Sequence, residues 1–138
     1  MSEDCIFCKI IEGKIPCAKV YDVGGVFAFL DIAPVNKGHA LVVPKKHYAT
    51  LFDLPPELGR ELLIALKTVG AAVMQATGAT GLNVGMNNFE AAGQLVHHAH
   101  FHLIPRHNAD GLSLWTQHAY ESMDDMQKLA HAVKAALS

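Results

Sequence analysis

No stretch of this 138-residue chain reaches the ~18 consecutive apolar residues that a membrane-spanning helix needs, although 51% of its residues are hydrophobic. Charge of one sign is not in excess either. Eleven Lys and Arg stand against 13 Asp and Glu, a net charge of −2 with histidines neutral. Nothing therefore draws the chain to polyanions in general, which makes nucleic acid polymers poor candidates as obligate partners and still allows a nucleotide held in a local pocket. The opening Met1-Ser2-Glu3-Asp4 has no basic segment leading into an apolar run, so a cytoplasmic protein without membrane attachment is expected. Three cysteines are too few, and odd in number, for a disulfide framework. Cys5 and Cys8 form a Cys-x-x-Cys pair that reads as metal or redox chemistry, and Cys17 reads as an ordinary buried thiol. Repeats, low-complexity tracts and linker-like runs are also missing, which leaves one domain over residues 1–138.

What is present is a series of short periodic segments. Residues 5–11 suit a short helix. Lys19 to Tyr21 and Val26 to Leu30 flank Gly24-Gly25 and read as a hairpin. Ala40 to Pro44 has strand composition, and the proline suits its end or an edge. Leu58, Leu62, Ala65, Leu66, Val69, Val73 and Ala76 recur at helical steps, with Pro55 and Pro56 in the first turn and Gly78 at the end. Leu82 to Met86 and Val96 to Ile104 read as two more strands joined by a loop over 87–93. Met123, Met126, Leu129, Ala130, Val133 and Leu137 predict a C-terminal helix. The order predicts an α+β fold with about five strands in a mainly antiparallel sheet, one long helix and a C-terminal helix.

The segment Val96-His97-His98-Ala99-His100-Phe101-His102-Leu103-Ile104 carries the chemistry. On a strand, alternate side chains share a face, which would group His98, His100 and His102 and leave His97, Ala99, Phe101 and Leu103 opposite. On a helix a two-residue step turns by about 200°, and the three would scatter. Nine histidines in 138 residues make such a trio by accident roughly 0.04 times. Two readings stay open from the residues alone: nucleophilic and acid–base chemistry by imidazole, or a metal site.

The stretch Gly93-Gln94-Leu95-Val96-His97-His98-Ala99-His100-Phe101-His102-Leu103-Ile104 resembles the histidine triad (HIT) signature, His-φ-His-φ-His-φ-φ. Phe29 to Pro34 with Lys37 to His47, and Ile6 to Ile11, resemble the family's other motifs. The resemblance covers about residues 5–107 and leaves 108–138 as a C-terminal extension. It implies a HIT-like fold and a purine nucleotide-binding hydrolase or transferase acting at the α-phosphate, in the Hint-like branch a nucleoside phosphoramidase. A dinucleoside polyphosphate hydrolase or nucleotidyltransferase is the alternative enzyme, and a nucleotide-binding regulatory module the alternative of another class. His100 would form the nucleotidyl intermediate, with its other ring nitrogen held by the carbonyl of His98. His102 would stabilise charge and move protons.

By the same resemblance Asp31 would hold the ribose hydroxyls, Asn87 and Gln94 would contact the phosphates, and His39 would hydrogen-bond within the triad network. A turn residue is the alternative reading of Asp31, Asn87 and Gln94. Ile6, Phe7, Ile10, Ile15, Phe29 and Ile32 match the lining around the base; their composition alone reads as core. Leu95 replaces a serine found in some members, which removes a hydroxyl and leaves its backbone N–H. The likeness to bacterial members with Cys-x-x-Cys implies a structural zinc on Cys5, Cys8, His47 and His98, with no catalytic metal required. It also implies a homodimer. Free thiols or a redox pair remain the other readings of Cys5 and Cys8.

Overall fold

The computed structural model describes residues 4–137, so Met1, Ser2, Glu3 and Ser138 of the expected single domain lie outside the described residues. In chain order the elements are α1 (Ile6–Ile11), β1 (Lys19–Val23), β2 (Val26–Leu30), β3 (Ala40–Pro44), α2 (Gly59–Thr77), β4 (Gly81–Gly85), β5 (Phe101–Arg106) and α3 (Met123–Ala136). The five strands form one antiparallel sheet in the order β1-β2-β3-β5-β4. This is the α+β fold the patterning predicts. Among the described residues no helix is long and apolar enough to cross a membrane.

Both faces of the sheet are covered, which explains why β2 and β3 read as nearly unbroken apolar runs. Val26, Ala28, Ala40, Val42 and Leu103 pack under α2 with its Leu62, Ala65, Val69 and Val73. Phe27, Phe29, Leu41 and Val43 face the other way, onto Phe7 and Ile10 of α1. Gly24 turns the β1–β2 hairpin at φ +57°, and Gly78 ends α2 in the left-handed region at φ +71°. Pro55 and Pro56 do not open α2 as the pattern suggests. They belong to a single 3₁₀ turn, Pro56–Leu58, after which α2 starts at Gly59.

Two further expectations need correction. The strand expected over Val96 to Ile104 begins only at Phe101 and runs on to Arg106. Its ladder with β3 spans Ala40 to Val42, because β3 ends on a proline that has no N–H to give. Ala99 N–H instead donates to the Tyr48 carbonyl at 2.6 Å, while β4 pairs with β5 as far as Arg106. Residues 96–100 thus approach the sheet as a tethered loop, and His97 is exposed instead of lying on an apolar face. Cys17, expected inside, is also exposed.

Candidate active site and metal centre

The site grows from the end of the loop that enters β5. His102 is the second residue of β5 and stands across from Leu41, so it projects on the α1 side of the sheet. His100 comes just before the strand. Its ring lies 5.0 Å from that of His102 and meets the edge of Phe7 at 5.1 Å. The Nδ1 of His100 is 2.7 Å from the carbonyl of His98. A carbonyl only accepts, so Nδ1 carries the proton and Nε2 keeps the lone pair.

The same reasoning fixes the protons of the neighbouring rings. Val35 N–H donates to His39 Nδ1 at 3.1 Å, which places the proton of neutral His39 on Nε2. That Nε2–H lies 2.9 Å from His102 Nδ1 and donates to it, so neutral His102 bears its own proton on Nε2. The order Val35, His39, His102 is a one-way chain of donors. Asp31 sits beside it, with Oδ2 3.8 Å from His39 Nε2 and Oδ1 accepting from Ala33 N–H at 2.9 Å. Asp31, His39 and His102 also lie close enough together to share an ion. The chain of donors opposes that use, because Nε2 of His39 could ligate only by giving up its proton or its bond to Val35.

Burial disfavours the imidazolium in all of these rings. It lowers His100, with the His98 carbonyl and Asp31 acting in the opposite sense. It lowers His39, against the pull of Asp31. His102 is pushed down to about 4 by burial first and then by His100 and His39. The triad rings are therefore neutral at pH 7, and a neutral imidazole is the nucleophilic form.

His98 belongs to a second centre. Its Nε2–H donates to the Pro44 carbonyl at 2.8 Å, which leaves Nδ1 as a lone pair aimed at Cys5 Sγ, 3.3 Å away, and Cys8 Sγ, 3.6 Å away. His47 Nδ1 is 3.5 Å from Cys8 Sγ. The four ligand atoms lie within 4.8 Å of one another. A tetrahedral zinc bound by nitrogen and sulfur needs an N···S edge of about 3.6 Å, so the spacing, the donor set and the tautomer of His98 all fit a metal ion. Cys5 and Cys8 meet there because Cys5 caps the first turn of α1 and Cys8 lies within that turn, with Cys8 N–H donating to Cys5 Sγ at 3.4 Å. His98 joins the two centres, since its ring faces the thiols and its carbonyl holds His100.

The remaining expected residues separate into lining, scaffold and surface. Phe7 and Ile10 of α1 and Phe29 of β2 are buried in one cluster between helix and sheet, and Ile15 packs at its edge. Ile6 is half exposed. Ile32 is 99% exposed and Leu95 90%, so neither lines an enclosed pocket in this chain alone. Asn87 is half-buried just past β4. The buried Gln94 side chain accepts from Phe89 N–H at 2.8 Å and donates to the carbonyls of Ala49 at 2.6 Å and Val96 at 3.1 Å. Those bonds give it the work of holding the loop that carries Asn87. The sequence reading missed Asp110, which accepts from Arg106, from Asn36 and from the N–H groups of His107 and Leu112. The Arg106 guanidinium, followed by these N–H groups, holds its carboxyl well below the usual range. No motif marks Asp110 in the sequence: most of its donors lie within residues 106–112, and Asn36 joins them only in the fold.

The family profile described as the HIT domain matches residues 12–109. The chain is 41% identical to the protein hit of Bacillus subtilis, over 99% of this chain and 97% of that one. It is 46% identical to the adenosine 5'-monophosphoramidase hnt1 of Schizosaccharomyces pombe, over 77% of each. A crystal structure of a Streptococcus mutans protein superposes with a TM-score of 0.93 at 37% identity, covering 100% of this chain and 88% of that one. A Zn-bound histidine triad family protein from Mycobacterium smegmatis superposes with a TM-score of 0.70 at 34% identity, covering 96% and 94%.

Proposed function

The chain belongs to the HIT domain family, and from that premise we propose that it is a purine nucleoside phosphoramidase, hydrolysing an adenylylated amine to AMP and the amine through a nucleotidyl intermediate on His100. The observation that carries this reading is the 2.7 Å contact between His100 Nδ1 and the His98 carbonyl, which leaves the Nε2 lone pair free for phosphorus. Nε2 attacks the α-phosphorus, the P–N bond breaks, and the leaving nitrogen takes up a proton from solvent. Water then attacks the nucleotidyl-imidazole, the P–N bond to His100 breaks, His100 leaves as the neutral Nδ1–H imidazole, the proton of the attacking water returns to solvent, and AMP leaves. The Nε2–H of His102, set by His39, offers a donor to the phosphate oxygens as charge builds on them. Asp31 takes the ribose hydroxyls, and the base lies near Phe7, whose ring edge abuts His100. Asn87 and the backbone N–H of Leu95 serve the phosphates. The S. pombe relative, an adenosine 5'-monophosphoramidase, supports this substrate class over a dinucleoside polyphosphate.

In the same reading Cys5, Cys8, His47 and His98 hold a zinc ion that fastens α1 to the loop before β5, and no second metal takes part in the chemistry. The protein works in the cytoplasm as a homodimer, without nucleic acid polymers or membranes as partners. The dimer joins sheets at β4. The other edge strand, β1, is guarded by Lys19 and Asp22, whereas Gly81-Leu82-Asn83-Val84-Gly85 is an edge without charge.

The test is release of AMP from an adenylylated amine. His100→Ala is expected to lower the rate by about a thousandfold or more while AMP still binds within a few-fold of wild type. Mass spectrometry of trapped protein should place the nucleotide on the His100 peptide. Undiminished turnover in His100→Ala, or no turnover by the wild type with either substrate class, removes the proposal.

A further inference from the structure

Phe89 holds a backbone conformation that belongs to glycine. Its φ of +70° with ψ of 160° lies where a Cβ crowds the chain, a region that residues with side chains occupy only when their surroundings force it. Here the surroundings do. Phe89 N–H donates to Gln94 Oε1 at 2.8 Å, and its carbonyl accepts from the N–H groups of Ala92 and Gln94, each at 3.1 Å. Asn88 Oδ1 accepts from Leu51 N–H at 2.8 Å, which ties the same loop to the segment after β3. Glycine would make every backbone bond at position 89 without strain, so the loop does not need the phenyl ring for its shape. The core does not need it either. Phe89 is 57% exposed and stacks on Phe52, itself 76% exposed, with centroids 5.9 Å apart and planes 20° from parallel. Strain that burial does not offset points to a use outside the packing of the fold.

The loop stands at one end of the line that a nucleoside phosphoramidate would take. A row of the sheet runs Phe29, Leu41, His102, Gly85 across β2, β3, β5 and β4. Phe7, on the side given to the base, packs on Phe29 with ring centroids 5.4 Å apart. Asp31, just past β2, comes within 3.8 Å of His39, whose ring is bonded to His102. Base and ribose thus belong to the β2 end of the row, and the phosphate to His100 and His102. Past His102 the row ends at Gly85, and the chain runs on through Asn87 to Phe89. Displacement at phosphorus is in line, so the leaving nitrogen departs from the face turned away from His100. Its substituent is then carried beyond the phosphate, toward the loop after β4.

We propose that Phe89 and Phe52 form a platform for the organic group on the leaving amine, and that this group is a flat aromatic ring. The proposal rests on the phosphoramidase reading under Proposed function and adds to it the class of amine. Aromatic rings attract one another through offset or edge-on contacts beyond the area they bury, which a saturated chain does not match. The three backbone bonds that hold Phe89 in its strained conformation also fix the direction of its ring.

The test compares two substrates on the full-length protein: AMP joined through nitrogen to phenethylamine, and AMP joined to propylamine, both primary alkylamines at the leaving atom. The wild type is expected to favour the phenethyl amide about tenfold in kcat/KM, and Phe89→Gly to bring that ratio close to parity. Tm of Phe89→Gly should be no lower than that of wild type, because glycine relieves the backbone. Phe89→Tyr should keep the ratio, and Phe52→Ala should lower it by about threefold. A wild type that turns over both amides equally overturns the platform and leaves the phosphoramidase reading in place. A ratio that survives in both Phe89→Gly and Phe52→Ala does the same. Loss of the ratio accompanied by a drop in Tm would make the ring a strut of the loop and also overturn the platform. A wild type that hydrolyses neither amide removes both readings together.

Discussion

At the scale of single residues, the position of each proton decides what the histidines can do. Spacing along the chain brings three imidazoles into one neighbourhood, but only their partners decide which nitrogen is bare. His100 keeps Nε2 bare because the His98 carbonyl takes the hydrogen of Nδ1, and His98 keeps Nδ1 bare because Pro44 takes the hydrogen of Nε2. Adjacent histidines of one motif therefore present opposite nitrogens and serve different centres. His39→Ala removes the donor that orients His102, and kcat is expected to fall about 10- to 100-fold with KM nearly unchanged. Steady-state kinetics on the adenylylated amine would check it, and an unchanged kcat would show that His102 orients itself. The depressed pKa of His102 also sets a pH dependence. Between the ordinary histidine value of 6.5 and about 4, the unfolded chain binds a proton that the folded one refuses, so stability is lost as pH falls through that window. Calorimetry should show Tm declining from pH 7 to 4.5, and less steeply in His102→Gln.

At the scale of elements, the short α1 shows how little a helix can owe to its own propensity. Its six residues cannot be stable alone, and it stays folded by burying Phe7 and Ile10 and by presenting Cys5 and Cys8 to the two histidines. Cys8→Ser is expected to abolish metal retention and lower Tm by on the order of 10 °C. Metal analysis alongside thermal unfolding would check this, and wild-type Tm in a metal-free Cys8→Ser protein would contradict it. Loosening α1 also withdraws Phe7 from His100. The long helix α2 was legible from spacing, since Leu62, Ala65, Val69 and Val73 all face the sheet. The extent of β5 was not, because Pro44 and the Tyr48 carbonyl, 50 or more residues upstream, decide where its ladder begins. Helical spacing likewise placed α3 correctly and gave no hint that its apolar side would be left unburied by the described residues.

At the scale of the whole molecule, the two edges of the sheet are unlike. Lysine and aspartate close β1 to further pairing, while β4 offers an uncharged edge with Val84 half exposed. Val84→Lys is expected to raise the dimer dissociation constant about tenfold or more, which sedimentation velocity across a dilution series would measure. An unshifted constant would place the interface elsewhere. The sequence by itself determined the α+β architecture, the family likeness and the roster of histidines and cysteines, because periodicity, turn residues and a dense motif are local properties of the chain. Only the tertiary structure decided which nitrogen each histidine offers, that Gln94 braces a loop, that Asp110 steers the exit from β5, and that α3 stands away from its own core. The bonds that join His98 to Pro44, His102 to His39, Gln94 to Ala49 and Asp110 to Asn36 link segments far apart in sequence, and no local pattern encodes where distant segments meet.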